Sequence, residues 1–260
     1  MHDSPDLPVE RRRRIADRLA TGQAVVAATL AQEFGVSEDS IRRDLRGLAQ
    51  DGICRRVYGG ALPVSPAAAP MAVRAGEDRE RKRALARAAL DLLRPGQTIF
   101  LDTGSTNLQL AALLPEGLGL RVVTNSIPAA AVLTARRDLS LVVIGGGVNP
   151  QVGGCVDARA SAELSGCRFD LCFLGACAMS PEHGLAGFEL DDVEFKRRLV
   201  AVSAATVLMM TTAKLATSAP FAIARVADLT HVVLEHDAPA GVVEALRSAG
   251  IDLRSAAAPT

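Results

Sequence analysis

Residues 34–48 read FGVSEDSIRRDLRGL, and this stretch decides the fold of the N-terminal part of the chain. Gly35 suits the left-handed backbone conformation that ends a helix. Ser37 can accept a hydrogen bond from the first amides of a following helix. Apolar residues then recur at the spacing of one helix face, and these are Ile41, Leu45 and Leu48. The stretch therefore predicts two helices joined by a short turn, the second over residues 38–50.

The segments on either side extend this pattern. Apolar spacing predicts a first helix over residues 10–20 and a second over residues 27–34. Residues 53–62, with a glycine pair in their middle, predict a small β-hairpin. Two helices joined by a glycine-containing turn and followed by a hairpin describe a winged helix-turn-helix. We therefore expect a DNA-binding domain over residues 1–62.

Charge is distributed unevenly along the chain. The 29 basic and 29 acidic residues give a net charge of zero, which argues against a protein coated in positive charge. Residues 40–60, however, hold five arginines against two aspartates, a local excess of three positive charges. For an isolated helix such arginines are more often a solvated face, but the turn and hairpin favour contact with bases and phosphates. The candidate DNA contacts are Ser37, Ser40, Arg42, Arg43, Arg46, Arg55, Arg56 and Tyr58.

A break in composition separates this unit from the rest of the chain. Residues 62–70 contain three prolines and no charge, which is typical of a linker. We expect the linker over residues 63–72, a second domain over residues 73–254 and a frayed tail over residues 255–260. In the second domain apolar strands alternate with helices, which predicts an α/β fold with a mainly parallel sheet. The first of these helices is expected over residues 77–93.

Three predicted strands of this sheet end in polar or glycine-rich loops, which read DTGSTN at 102–107, TNS at 124–126 and GGG at 145–147. Each loop alone is more often a turn or a helix cap. Ligands bind at the carboxyl ends of parallel strands, and glycines, hydroxyls and helix amides there can donate to an anion. Together the loops predict one anion site. Its candidate residues are Asp102, Gly104, Ser105, Thr106, Thr124, Asn125, Ser126, Gly145 and Gly146.

The run at 34–48, followed by GICRRVYGGA at 52–61, closely resembles the DeoR family of bacterial transcriptional regulators. The hallmark of that family is V-S-x-x-T-I-R-R-D-L followed by R-x-x-G-G-A. Ser40 stands where threonine is usual and keeps the hydroxyl, whereas Val26 replaces the usual polar cap of the second helix. The resemblance continues over nearly the whole chain, in the stretches 82–89, 99–106, 122–126, 145–147 and 169–176.

The resemblance implies a sensor domain related in fold to ribose-5-phosphate isomerase, which binds a phosphorylated sugar or a similar metabolite. The family usually has D-x-S-K after the sixth strand, where this chain has Thr-Thr-Ala-Lys at 211–214. Lys214 can still pair with a phosphate, but the loss of the acid and the serine leaves effector recognition open. The family also places an acid and a lysine at the mouth of the sugar site, which suggests Lys196 and, more weakly, Glu194. His183 is expected to be structural.

Three functions remain open at this stage. The leading hypothesis is a transcriptional repressor of carbohydrate or related metabolic genes, with double-stranded operator DNA and a small phosphorylated metabolite as partners. It would act as a homodimer or homotetramer. The alternative is a sugar-phosphate isomerase with a fused DNA-binding domain, in which Glu194 or Asp102 would serve as base and Lys196 as electrophile. A third possibility is a DNA-binding protein whose sensor has lost its ligand.

Composition excludes several other classes. The five cysteines form no C-x-x-C pair, which gives no indication of a zinc site or a disulfide framework, and we expect no metal and no cofactor. No uncharged apolar run approaches the ~18 residues that a membrane helix needs. Residues 1–6 are polar and acidic, unlike a secretory signal. These features predict a cytoplasmic protein that is not attached to a membrane.

Overall fold

The computed structural model describes residues 8–20 and 23–258. The N-terminal unit consists there of three helices and a small antiparallel sheet with the strand order β1-β3-β2. Its elements are α1 (Pro8–Ala20), β1 (Val25–Val26), α2 (Ala27–Phe34), α3 (Glu38–Gln50), β2 (Cys54–Val57) and β3 (Gly60–Pro63). The winged helix-turn-helix is confirmed, and β1, which the sequence pattern does not predict, adds a third strand to the hairpin.

The turn between α2 and α3 has the local chemistry that its sequence indicates. Gly35 ends α2 with a φ of 62°, where a side chain would be strained. Ser37 caps α3, because its side chain accepts a hydrogen bond from the Ser40 amide at 3.3 Å. Val26 stands at the start of α2 and supplies no cap. The inward faces of the helices form one apolar core that includes Ile15, Leu19, Leu30, Ile41, Leu45 and Leu48.

The C-terminal unit is built on a seven-stranded sheet with the order β15-β14-β12-β9-β4-β5-β6, in which every neighbouring pair is parallel. Its helices are α4 (Met71–Gly76), α5 (Arg79–Ala89), α6 (Ser105–Leu113), α7 (Ile127–Leu133), α8 (Ala158–Glu163), α9 (Leu190–Ala201) and α10 (Ala240–Ser248). Its strands are β4 (Thr98–Leu101), β5 (Arg121–Thr124), β6 (Ser140–Val143), β7 (Val148–Asn149), β8 (Gly154–Cys155), β9 (Leu171–Leu174), β10 (Ala178–Ser180), β11 (Gly184–Gly187), β12 (Thr206–Met210), β13 (Phe221–Ala224), β14 (His231–Leu234) and β15 (Asp252–Ser255). The α/β class with a mainly parallel sheet is confirmed.

Helices cover both faces of this sheet, which explains why its strands are apolar throughout. On β4, Ile99 and Leu101 face one core with Leu85 of α5 and Leu110 of α6. Phe100 faces the opposite core, which contains Phe195 of α9. Two smaller antiparallel elements, a β10-β11-β13 sheet and a β7-β8 pair, lie outside the main sheet. Their strands are short and contain small residues, so their apolar alternation is too weak to predict them.

The segment at 63–72, expected as a linker, packs against the C-terminal unit. The Ser218 amide donates to the Pro63 carbonyl at 3.0 Å, and the Ser65 amide donates to the Ser218 carbonyl at 3.2 Å. The Ser65 hydroxyl also donates to the Cys177 carbonyl. Helix α4 begins at Met71, inside the segment, and the Met71 side chain is buried. Backbone hydrogen bonds and the buried side chains of Ala67 and Met71 therefore hold the segment in place.

The helix expected over residues 77–93 corresponds to α5 and a 3-10 turn over Leu90–Leu92, and a separate short helix, α4, precedes it. Asp78 separates α4 from α5 with a φ of 48°, a left-handed conformation that an aspartate tolerates better than most residues. The Lys82 amine donates to the Arg74 carbonyl at 2.7 Å and to the Glu77 carbonyl at 2.6 Å. This buried lysine satisfies carbonyl groups at the end of α4, and burial lowers its pKa.

The prediction of a frayed tail over residues 255–260 is wrong at its beginning. Ser255 is the last residue of β15 and pairs with Leu234 of β14. The Ala256 amide donates to the Leu234 carbonyl at 2.8 Å, and the Ala256 side chain is buried. The small side chain fits against the core while the backbone completes the sheet edge. Residues 259 and 260, like residues 1–7 of the expected first domain, lie outside the described part of the chain.

Gly60 allows β3 to approach β1 closely, because a Cβ atom there would lie 2.0 Å from the Val25 carbonyl oxygen. We expect Gly60→Ala to destabilise the N-terminal unit by ~1–3 kcal/mol through forced backbone displacement. Gly76→Ala is the matched control, since a Cβ atom at Gly76 meets no atom within 4 Å. Urea unfolding followed by circular dichroism measures both variants. Equal stability of the two would contradict the close packing of β1 and β3.

Candidate DNA-binding surface and effector cavity

Helix α3 presents a basic outer face to solvent. Arg43 and Arg46 are exposed, and within the described residues neither side chain forms an ion pair. Arg42 is also exposed, but its guanidinium pairs with Glu38 at 2.7 Å and with Asp39 at 3.2 Å. Arg42 must leave these carboxylates before it can contact a phosphate. Arg43 and Arg46 are therefore the side chains of this helix that are best placed to meet DNA.

Arginines of α1 hold α3 in position, a role that the sequence analysis does not identify. The Arg11 guanidinium lies 2.7 Å from the Asp44 carboxylate, and both side chains are nearly buried. The Arg12 guanidinium lies 2.6 Å from the Asp51 carboxylate near the end of α3. The run of four arginines at 11–14 is the signal that could have suggested this role, because α3 carries acidic residues among its arginines.

The hairpin β2-β3 forms the wing. Two of its three predicted DNA contacts face solvent, and the third contacts the C-terminal unit. Arg56 is exposed, and Tyr58 at the tip of the hairpin is fully exposed. The Arg55 guanidinium donates instead to the Ala219 carbonyl of the C-terminal unit. Ser37 caps α3, and its hydroxyl shares a hydrogen bond of 3.0 Å with the hydroxyl of Ser40 within the helix. Of this set, Arg55 is the side chain that the structure directs toward the second unit.

A cavity lies at the carboxyl ends of β4, β9 and β12, where the topology of a parallel sheet places ligand sites. Gly104 precedes α6 with a φ of 146°, so the loop after β4 turns sharply into the helix. Ser105 is buried in the cavity wall, and its hydroxyl has no hydrogen-bond partner within the described residues. The polar and charged residues that line the cavity are Arg74, Thr103, Ser105, Thr106, Asn107, Asp192, Lys196 and Lys214.

One wall of the cavity is a buried charge cluster. The Lys196 amine pairs with the Asp192 carboxylate and lies 3.3 Å from the Asp102 carboxylate. Asp102 also accepts hydrogen bonds from the Gly175 amide at 2.8 Å and the Thr103 amide at 2.7 Å. Burial lowers the pKa of Lys196, but the two carboxylates outweigh it and leave the pKa above its ordinary value. Lys196 is therefore charged, and its charge is compensated from within the protein.

Lys214 and Arg74 differ from Lys196 because no carboxylate in the described residues pairs with either side chain. The Lys214 amine donates to the Ala176 carbonyl at 3.3 Å. Burial lowers the pKa of Lys214 to about 8, and the nearby Arg74 contributes in the same direction. Arg74 is 8% exposed, and its guanidinium donates to the Ala69 carbonyl at 2.7 Å. These two cations give the cavity a positive charge that the protein does not neutralise.

The structure brings some predicted effector residues together in the cavity and not others. Gly104, Ser105, Thr106, Lys196 and Lys214 line it, and Asp102 lies beneath it with 0% exposure. Sequence reasoning missed Arg74 because α4 lies in and just beyond the proline-rich segment. A single arginine within the otherwise uncharged run at 62–75 was the available signal.

The loops after β5 and β6 do not reach the cavity. The Thr124 hydroxyl donates to the Leu101 carbonyl at 2.6 Å, the Asn125 amide group donates to the Cys155 carbonyl at 3.2 Å, and Ser126 caps α7. Gly145 and Gly146 lie in a separate loop, where the neighbouring Gly147 amide donates to the Asp157 carboxylate at 2.8 Å. The Thr124 and Ser126 side chains already have partners inside the protein, which was the alternative interpretation of each loop, whereas the Asn125 side-chain oxygen is buried without a partner in the described residues.

The weaker candidate Glu194 also lies outside the cavity lining, as does His183, which was expected to be structural. The Glu194 carboxylate is half exposed and pairs with Arg197 on the same helix. His183 is exposed in the turn between β10 and β11, 3.9 Å from the Glu182 carboxylate. His183 borders a groove between this turn and the wing residues Arg55 and Arg56. Neither residue contributes to the charge of the cavity.

A winged helix-turn-helix joined to an α/β unit with a cationic cavity defines a DNA-binding transcriptional regulator with a sensor domain. The family profile described as the DeoR-like helix-turn-helix domain matches residues 11–67, and the DeoR C terminal sensor domain matches residues 77–236. The chain belongs to the DeoR family of transcriptional regulators. The resemblance seen in the sequence is thereby confirmed.

Curated relatives match along most of their length. The HTH-type transcriptional regulator GlpR of Haloferax volcanii is 30% identical over 94% of this chain and 96% of its own. The glycerol-3-phosphate regulon repressor of Escherichia coli K12 is 28% identical over 86% of this chain and 89% of its own. Both names are those of regulators rather than enzymes. A solved ribose 5-phosphate isomerase A from Methanocaldococcus jannaschii aligns with a TM-score of 0.39 and 17% identity, over 54% of this chain and 55% of its own.

Among residues 8–20 and 23–258, no helix combines the length and apolar character needed to cross a membrane. The same residues contain no group of three or more histidine, cysteine or acidic side chains that could hold a metal ion.

Removing the lysine from the buried charge cluster would leave two carboxylates without a cation. We expect Lys196→Met to lower the free energy of unfolding by ~3–5 kcal/mol, because an uncompensated buried charge is costly. The matched control is Arg225→Met, which breaks the exposed pair with Asp228 and should cost less than ~1 kcal/mol. Guanidinium unfolding of both variants gives the comparison. A loss below ~1 kcal/mol for Lys196→Met would contradict the structural importance of the cluster.

Proposed function

We propose that the protein represses carbohydrate or related metabolic genes and that a small phosphorylated metabolite controls its affinity for operator DNA. The observation that carries this proposal is the cavity charge. Lys214 and Arg74 line the cavity without carboxylate partners in the described residues, and the buried Ser105 hydroxyl has no partner there. Two uncompensated cations and a free donor suit an anion with two negative charges.

The position of the cavity favours a phosphate group in particular. The N-terminus of α6 faces it, and the first amides of a helix attract anions through their hydrogen bonds and the helix dipole. The name of the Escherichia coli relative refers to glycerol 3-phosphate, a small phosphorylated compound of the same chemical class. A phosphate bound between α6, Lys214 and Arg74 would satisfy the donors that the protein leaves open.

A short segment connects this cavity to the DNA-binding unit. Lys214 begins it, Ala216 has a φ of 53° that strains a residue with a side chain, and Ser218 pairs with the chain on either side of Val64. Ala219 then accepts the hydrogen bond from Arg55 of the wing. An effector that shifts Lys214 can therefore alter the orientation of the wing, provided that it binds the two arrangements with different affinity.

The DNA-binding face follows from α3 and the wing. Arg43 and Arg46 would enter the major groove, where arginine can bind guanine with two hydrogen bonds. Arg56 and Tyr58 would contact the backbone, which positions the protein without specifying sequence. A homodimer or homotetramer would place two such helices on half-sites one or more helical turns apart. This activity requires the protein to share a compartment with DNA, and this requirement supports a cytoplasmic location.

The isomerase alternative finds less support in the geometry. Glu194, one of the two candidate bases, is bound to Arg197 outside the cavity. Asp102, the other, is fully buried and accepts two backbone hydrogen bonds while it faces Lys196. A general base must come within hydrogen-bond reach of the substrate proton, and neither carboxylate is placed for it. The retained cationic cavity likewise argues against a sensor that has lost its ligand.

The DNA-binding face can be tested with single substitutions in α3. We expect Arg43→Ala and Arg46→Ala each to weaken binding to the upstream region of the gene by about 5- to 150-fold where the arginine reads a guanine. Where it contacts a phosphate, the slope of log affinity against log salt should fall by about 0.9. Fluorescence anisotropy over a salt series measures both quantities, with the exposed Arg247→Ala of α10 as control. Unchanged affinity in both α3 variants would rule out this face.

The anion site predicts a specific pH dependence. Lys214 is charged below its pKa of about 8 and loses its charge above it, so anion affinity should fall as the pH rises from 7 to 9.5. Sulfate is the appropriate probe, because its charge is constant over this range. Isothermal titration calorimetry at constant ionic strength should show weaker binding at pH 9.5 in the natural protein. Lys214→Met should bind weakly at both pH values.

The link to DNA is tested separately with metabolites. Glycerol 3-phosphate and hexose phosphates should change the DNA affinity of the full chain, whereas glycerol and the free hexoses should not. Sulfate binding that does not change with pH would overturn the proposed anion site. The same conclusion would follow if Lys214→Met bound sulfate as tightly as the natural protein does. Sulfate binding without any response to phosphorylated compounds would overturn the proposed effector class.

A further inference from the structure

Cys177 has a chemical setting that differs from those of the other cysteines. The thiols of Cys54, Cys155 and Cys167 donate to backbone carbonyls, at 3.8, 3.6 and 3.3 Å respectively. Burial raises the pKa of Cys54 and of Cys155. Cys172 is fully buried, and burial raises its pKa well above the ordinary value. Within the described residues, the Cys177 thiol has no carbonyl acceptor, and the residue is half-buried.

The backbone fixes Cys177 in the wall of the effector cavity, between β9 and β10. Its amide donates to the Ala186 carbonyl at 3.0 Å, and its carbonyl accepts from the Ser65 hydroxyl. Lys196 and Lys214 line the same cavity, and the Lys214 amine donates to the carbonyl of Ala176, the residue before Cys177, at 3.3 Å. Reactive cysteines occupy partly exposed, electropositive surroundings of this kind.

A second observation concerns an unpaired polar group in the wall of the same cavity. Ser105, at the start of α6, is 2% exposed, and its hydroxyl has no partner in the described residues. Leaving a buried hydroxyl unpaired costs free energy unless a ligand or water completes it. The ligand that Lys214, Arg74 and this hydroxyl favour is an anion. An anion that also carries an electrophilic carbon would be held beside the Cys177 sulfur.

We propose that Cys177 is a covalent-modification site for small anionic electrophiles, with the uncompensated Lys214 and Arg74 providing the selectivity for negative charge. In the reaction the thiolate sulfur attacks the electrophilic carbon. A carbon–sulfur bond forms, the bond to the leaving group breaks, and the leaving group departs with the electron pair. The thiol proton has already passed to solvent. The adduct then occupies the space of an effector, so modification should prevent anion binding. The part of this inference that concerns the effector rests on the proposed function.

Iodoacetate and iodoacetamide provide the test, because they share a leaving group and differ in charge. The full chain is treated with each reagent at neutral pH, and the alkylation rate of each cysteine is measured by peptide mass spectrometry. We expect the ratio of the iodoacetate rate to the iodoacetamide rate to be about tenfold higher at Cys177 than at Cys167, as a nearby cation would produce. Cys167 is the internal control, since it is also half-buried but lies outside the cavity.

Lys214→Met should lower this ratio at Cys177 and leave it unchanged at Cys167. Equal ratios at the two cysteines, or a ratio at Cys177 that does not respond to Lys214→Met, would overturn the inference. Sulfate distinguishes this failure from failure of the proposed function. If sulfate slows alkylation of Cys177 alone, the modification site and the effector site coincide. If the charge preference persists but sulfate neither binds nor protects, the modification site stands and the proposed effector site is overturned.

Discussion

The pairing of Lys196 with Asp102 and Asp192 is the interaction on which the C-terminal unit depends. It lies where the ends of β4 and β9 meet α9, because Asp102 follows β4 and accepts the amide of Gly175, which follows β9. Gly175 makes this possible, since a Cβ atom there would lie 2.2 Å from the Thr103 carbonyl oxygen. A lysine so deeply buried is tolerated only with carboxylates and hydrogen bonds around it. The cluster therefore fixes the loops that form the cavity.

The cluster also determines which cations remain available to a ligand. Lys196 is positively charged, but Asp102 and Asp192 compensate it within the protein. Lys214 and Arg74 come from the loop after β12 and from α4, and they remain uncompensated in the described residues. Their positions join the cavity to the proline-rich segment at 63–72. The compensated charge thus lies at the wall formed by α9. The uncompensated cations lie at the wall formed by α4 and the loop after β12, next to the segment that leads to the DNA-binding unit.

Sequence reasoning was reliable where a local pattern carries the signal. The capped helix α3 and the parallel strands follow from apolar spacing and from short-range capping, which act within a few residues. It was less reliable for the segment at 63–72, because prolines indicate a break in regular structure but cannot show whether the segment packs. The strand β15 shows the same limit. It pairs with β14, which is distant along the chain, and this pairing extends regular structure to Ser255, the first residue of the expected tail.

The amino-acid sequence by itself determined the winged helix-turn-helix, the α/β class and the loop after β4 that opens the cavity. Only the tertiary structure decided which polar groups face a ligand. Thr124, Asn125 and Ser126 have the residue types of an anion site, yet their side chains already bond or cap within the protein. Arg74 and Cys177 stand in no recognisable motif and still line the cavity. Whether a polar group is free depends on partners distant in the chain, and only folding brings those partners together.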